Sequence, residues 1–167
     1  MQSLKDWHPD ILDFIQAKAK EERKARTLID SGEYEANFNG EAYSSIMFQN
    51  ANLSVRVSDE FMQAAIDGKK WQTHWVTNPN KPGPEYDAKH MLRQMAEGTW
   101  YCGDPGVQYE STINKWHTCP NSGRINASNP CSEYMFLDDT AGNLSSINLK
   151  KMLREDGTFE VDRFRRA

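Results

Sequence analysis

The stretch NPCSEYMFLDDTAGN, Asn129 to Asn143, gathers the residue types best suited to chemistry in this chain. Asn129, Cys131 and Glu133 alternate along it. In an extended backbone, side chains at i, i+2 and i+4 point the same way. An amide, a thiol and a carboxylate would then face one spot. A carboxylate within hydrogen-bond reach of a hydroxyl acts as a general base, the amide holds a neighbouring hydroxyl, and the sulfur sits between them. The plainer alternative is a polar edge strand carrying one buried cysteine. The next residues, Asp138-Asp139-Thr140-Ala141-Gly142, read as a turn rather than as a Mg²⁺ pair.

Other candidates are weaker. The three cysteines, Cys102, Cys119 and Cys131, are odd in number and form no C-x-x-C, which argues against a disulfide framework. A zinc site would have to recruit Cys102, His117, Cys119 and Cys131 at irregular spacing. His117 reads better as a packed or hydrogen-bonded loop residue. GDPG, Gly103 to Gly106, reads as a tight turn. Trp7, Trp71, Trp75, Trp100 and Trp116 read as packing residues.

The elements that must position these residues follow from periodicity. A helix is expected from Pro9, with Asp10 in its first turn and Ile11, Leu12, Ile15 and Ala19 as its apolar stripe, ending at Ser31-Gly32. KAKEERKAR, Lys18 to Arg26, is a solvated face with Glu22 and Arg26 at i, i+4. NLSVRV, Asn52 to Val57, alternates as a strand. Ser58 caps a short helix that turns Phe61, Met62, Ala65 and Ile66 inward and ends at Gly68. KKWQTHWV is a strand, TNPNKPGPEYD a loop, and Asp87 to Glu97 a helix ended by Gly98. Trp100 to Pro130 reads as one long loop, a length that in compact domains is usually functional. NLSSINL, Asn143 to Leu149, reads as a strand, REDG as a turn, and Val161 to Ala167 as the start of a helix.

Length and charge set outer limits. A chain of 167 residues fits one domain, and residues 1–167 show no internal boundary. The net charge of −4 argues against nucleic acid or an anionic membrane as partner. No eighteen-residue apolar run spans a bilayer, and the N-terminus lacks the apolar core of a signal peptide, so the expected location is cytoplasmic. Apolar residues, counting Gly and leaving out Tyr, make up about 40% against a usual 45–50%. The chain opens just ahead of one expected helix and closes within a turn or two of the start of another. The expectation is an internal fragment sharing its core with further chain.

GDPGVQYESTINKWHTCPNSGRINASNPCSEYMFLDDTA, with NLSSINL after Gly142, resembles the catalytic subunit of ribonucleotide reductase, nearest its adenosylcobalamin-dependent (class II) branch. WHPDILDFIQAK and FQNANLSVRVSDEFM resemble it in the same order. The resemblance implies an α/β fold, part of a ten-stranded barrel whose finger loop carries the active site. It implies conversion of ribonucleotides to deoxyribonucleotides. Cys131 would be the thiyl-radical site, Glu133 the base for the 3′ hydroxyl, and Asn129 the holder of the ribose hydroxyls. Adenosylcobalamin would be the cofactor. The partners would be ribonucleotide, the remaining reductase polypeptide and a dithiol reductant such as thioredoxin. The family pattern has a redox cysteine where this chain has Gly142, so that position is lost here. Alone, the segment is expected to be inactive. The alternatives are a non-catalytic remnant that binds nucleotide or a partner subunit, and one piece of a split enzyme.

Overall fold

The computed structural model describes all residues 1–167. Three short parallel strands form its central sheet: β1 (Gln2–Lys5), β2 (Leu53–Val57) and β5 (Gly106–Tyr109), in the order β1-β2-β5. Each pair is joined by helical crossovers, α1 (Ile11–Asp30) and α2 (Glu41–Ser44) in the first, α3 (Asp59–Asp67) and α4 (Ala88–Cys102) in the second. A two-stranded antiparallel hairpin, β3 (Lys70–His74) with β4 (Pro82–Asp87), lies between α3 and α4. After β5 come α5 (Glu110–Lys115) and, at the end, α6 (Val161–Arg166). Neighbouring strands follow chain order, and both sheet edges are open. This is an α/β fragment without a closed barrel. Three strands cannot curl far enough to pair first with last.

The two faces of β2 differ in kind. Val55 and Val57 pack with Ile11 and Ile15 of α1, with Phe61, Ala64 and Ala65 of α3, and with Ala88, Met91 and Met95 of α4. This is the apolar core. The other face carries Ser54 and Arg56, both buried. All five residues of the strand are therefore covered, as parallel strands usually are. In the register, Lys5, Arg56 and Gln108 stand side by side across β1, β2 and β5.

Several expectations hold. Ser58 Oγ accepts from the Phe61 N–H, Gly68 ends α3, and Glu22 pairs with Arg26 at 2.9 Å. The helix expected from Pro9 begins two residues later, with Asp10 as N-cap, and ends at Ser31. Residues 82–87, read as loop because of their prolines, form β4 on an open edge, where proline is tolerated. Ile66 points outward, since the buried face of α3 runs through Phe61, Ala64 and Ala65.

Helix α4 does not stop at Gly98 but runs to Cys102 and ends at Gly103, which takes the left-handed cap with φ of 82°. Gly98 serves a different purpose. A Cβ there would lie 3.0 Å from the Asp104 carbonyl and 3.2 Å from Pro105 Cδ, so its lack of a side chain lets the returning chain cross the helix. The segment 100–130 is consequently not one loop. It holds the last turn of α4, then β5 and α5. The expected strand at Asn143–Leu149 is absent, and the chain there is irregular up to a short 3-10 turn at Leu149–Met152. Trp100 and Trp116 are 87% and 79% exposed, so neither is a packing residue within this chain.

Candidate functional site

The segment that carries Asn129, Cys131 and Glu133 lies on the polar face of the sheet. Beyond Glu110 only Ile125 and Met152 are buried, so polar contacts rather than a core hold it down. Glu110 is the centre of those contacts. It is nearly buried, accepts from Arg56 Nε, and takes Arg124 at 2.9 Å and Lys5 at 3.4 Å. Burial alone would push its carboxyl up, but Arg56, Arg124 and Lys5 together hold it below the ordinary glutamate range. Arg56 also donates to Gln108 Oε1 at 3.1 Å and to the Ile125 carbonyl at 2.8 Å. Asn114 closes on Ile125 from the other side, with both amide bonds at 3.0 Å. Sequence reasoning missed Arg56, Gln108, Glu110 and Asn114. The available signal was an arginine in the middle of a strand whose neighbours are valines.

From Ile125 the chain runs to the turn itself. Asn126 is held by Lys5 at 3.2 Å and donates to Asp138 at 2.8 Å. The Ser132 N–H then bonds the Asn129 carbonyl at 3.0 Å, closing a four-residue turn with Pro130 in its second position. The expected extended backbone at Asn129, Cys131 and Glu133 is therefore corrected. Proline fixes φ and suits that position of a turn, and Ser132 adopts φ of 64° to complete it. Cys131 sits exposed on the turn. The reversal still brings Asn129 and Glu133 together. The Asn129 side chain first, then a backbone N–H, favours the charged form and holds the exposed Glu133 carboxyl below the usual range. The Asn129 Oδ1 accepts from the Tyr134 N–H at 2.9 Å.

Gly142 enters the same neighbourhood from the far side. It lines a cleft of about 430 Å³ with Asn129, Tyr134 and the residues from Phe136 to Ala141. A Cβ at 142 would meet the Tyr134 ring at 3.7 Å, an ordinary contact. Tyr134 is tied across the cleft to Thr140 at 3.0 Å. Asp138 and Asp139 form the expected turn. His117 Nδ1 accepts from the Cys119 N–H at 3.3 Å, and its ring packs edge-on against Phe136 at 5.8 Å. GDPG does more than turn the chain. Asp104 pairs with Lys18 of α1 at 2.6 Å and accepts from the Leu53 N–H, fastening α1 and β2 to the start of β5.

Chemically, the site offers a carboxylate that favours its charged form, a neighbouring amide, and an exposed thiol between them in sequence. That set can take a proton from a hydroxyl and present sulfur to a substrate carbon. No helix is long and apolar enough to cross a membrane.

Known proteins are similar to this chain in sequence. The family model described as the ribonucleotide reductase barrel domain matches residues 1–167. The chain is 64% identical, over its whole length, to a vitamin B12-dependent ribonucleotide reductase of Rhodopirellula baltica. Over 94% of its length it is 54% identical to the protein of that name in Streptomyces avermitilis. It is 33% identical, over 93% of its length, to a vitamin B12-dependent ribonucleoside-diphosphate reductase of Mycobacterium tuberculosis. The chain spans 16% of the first two relatives and 19% of the third.

Proposed function

The chain belongs to the ribonucleotide reductase barrel-domain family, and from that premise we propose that it is the active-loop segment of a vitamin B12-dependent ribonucleotide reductase. It is read as an internal fragment of one catalytic barrel domain, with β1, β2 and β5 as three of ten strands and residues 124–142 as the finger loop. The observation that carries this reading is the Asn129–Ser132 turn, which brings Asn129 and Glu133 to either side of Cys131 and is tied to the polar face of the sheet through Gln108.

The roles follow from the groups. Glu133, ionised at neutral pH, takes the proton of the 3′ hydroxyl. Asn129, whose side chain favours the charged form of Glu133, is assigned to the ribose hydroxyls. Cys131, once oxidised to a thiyl radical, takes the hydrogen atom from the 3′ carbon: that C–H bond breaks, an S–H bond forms, and the unpaired electron is left on the carbon. Adenosylcobalamin, when bound to the whole enzyme, supplies the radical chemistry that side chains lack. The exposed Cys131 sulfur fits such an external source. Water must be excluded around the radical, and here the loop is open, in keeping with a segment that needs the remaining polypeptide. Reduction of the 2′ carbon needs a dithiol. Glycine at 142, where the resemblance places a cysteine, leaves that electron supply incomplete. Gly142 is also what favours the second reading, a remnant that binds nucleotide without reducing it.

The test replaces the matching segment of the Rhodopirellula baltica relative with this chain, once as it stands and once with Gly142→Cys. Deoxyribonucleotide formation is followed with adenosylcobalamin, dithiol and ribonucleotide. Repeated turnover only with Gly142→Cys is the expected result. If neither version forms product while both fold and bind nucleotide, the catalytic reading of Cys131 is wrong and the remnant reading stands.

A further inference from the structure

We propose that Gln108 is the positioning residue of the Cys131 turn, with Arg56 fixing the direction of its amide. The inference rests on the reading of Cys131 as the reacting thiol and names what sets that thiol in place. Gln108 is buried on β5 and has no role in the chemistry above. Its Oε1 accepts from Arg56 Nη1 at 3.1 Å. A guanidinium only donates, so the carbonyl end of the amide must face Arg56 and the NH₂ end must face away. That end reaches both hydroxyls flanking the turn, Ser128 and, at 3.0 Å, Ser132. Cys131 lies between them.

Ser132 is the residue with a reason to need holding. Its φ of 64° is left-handed, a conformation disfavoured for any residue with a Cβ. The Gln108 bond to its hydroxyl fastens it there. That backbone angle, one residue on, sets how Cys131 stands relative to Glu133. The arrangement is a chain of fixed donors: Glu110 fixes Arg56, Arg56 orients Gln108, and Gln108 pins the turn.

The test is hydrogen exchange read peptide by peptide on the full chain, for the native sequence, Gln108→Ala, Ser128→Ala/Ser132→Ala and Gln108→Ala/Ser132→Gly. Gln108→Ala is expected to speed exchange over 129–134 about five- to tenfold, as for one or two lost hydrogen bonds, with α1 and α4 unchanged. Ser128→Ala/Ser132→Ala, which leaves β5 intact, is expected to do the same and stands in if Gln108→Ala does not fold. Adding Ser132→Gly is expected to restore most of the protection, since glycine takes a positive φ freely. In the chimeric reductase carrying Gly142→Cys, Gln108→Ala should lower kcat about ten- to a hundredfold with KM within about twofold. Unchanged exchange at 129–134 overturns the proposal. So does an equal rise across β5 and α4, a failure of the glycine rescue, or an unaltered kcat in an active chimera. If the chimera with Gln108 in place makes no product, the functional reading fails, and the exchange pattern alone still decides whether Gln108 pins the turn.

Discussion

Glu110→Gln is the substitution that asks most of this structure. It keeps size and removes one charge from the centre of the polar cluster. Arg56 is 1% exposed and would be left with neutral acceptors alone, Gln108 Oε1, the Ile125 carbonyl and the amide oxygen of the new side chain, and no opposite charge from residue 110. Breaking a buried pair by removing one partner typically costs about 3–5 kcal/mol. Lys5 and Arg124, the other two partners, keep side chains 29% and 56% exposed, so each bond to Glu110 adds at most about 1 kcal/mol. Glu110→Gln should therefore lose about 4 kcal/mol, and Arg124→Ala about 1 kcal/mol or less. Urea unfolding followed by tryptophan fluorescence and far-ultraviolet circular dichroism measures both. The pH dependence has a definite sign. The folded pKa of Glu110 lies below its unfolded value, so its contribution is present above the unfolded pKa and is lost as pH falls through the folded one. The gap between the native chain and Glu110→Gln should be widest near neutral pH and shrink below about pH 4.3. A Glu110→Gln loss no larger than that of Arg124→Ala, or a gap indifferent to pH, would refute the account of a buried pair.

Four further outcomes are expected. Asn129→Ala should raise the Glu133 pKa, because the amide that favours the carboxylate is gone, and a carboxyl-detected NMR titration reads this directly. Gly142→Cys should leave the unfolding midpoint unchanged or slightly higher, since its Cβ makes only an ordinary contact and the unfolded chain loses freedom. Gly98→Val should destabilise by about 1–3 kcal/mol in the same urea assay, because its side chain must displace the Asp104 carbonyl or the Pro105 ring. Ser58→Ala should cost about 1–2 kcal/mol through the lost cap. That cost should grow with pH above about 4. Burial already raises the Asp6 pKa, and the Ser58 hydroxyl and N–H at 2.7 and 2.6 Å oppose it. Losing the hydroxyl raises the pKa further. A raised folded pKa is stabilising at low pH and loses that advantage as pH rises.

Much of the frame was legible because its signals are local. The cap at Ser58, the apolar stripe of α1 and the alternation in β2 each lie within one element. The errors arose where a residue answers to a distant part of the chain. Gly98 looked like a helix end, but its constraint comes from Asp104 and Pro105 crossing the helix. Arg56 drew no reading of its own within the alternating strand, because its partners lie 52 to 69 residues away. At the candidate site, the residue types pointed to the chemistry while the alternation misled on geometry. Pro130 turns the backbone, so Asn129 and Glu133 meet by reversal of the chain and not by sharing a strand face.

The wide sequence separation of the contacts around Glu110 fixes an order of assembly. Lys5, Arg56 and Glu110 come together only once β1, β2 and β5 have paired, and the Lys5–Glu110 contact spans 105 residues. Segments with few apolar contacts cannot offset the loop-closure entropy of such distant contacts by themselves. The segment from Arg124 onward must therefore wait for a finished sheet before it has anything to bind. In a pulse-labelling experiment during refolding, the Val55 and Val57 amides should gain protection first and the Ile125 amide last. The segment that carries the candidate site is in this sense a late arrival, added to a platform that forms without it.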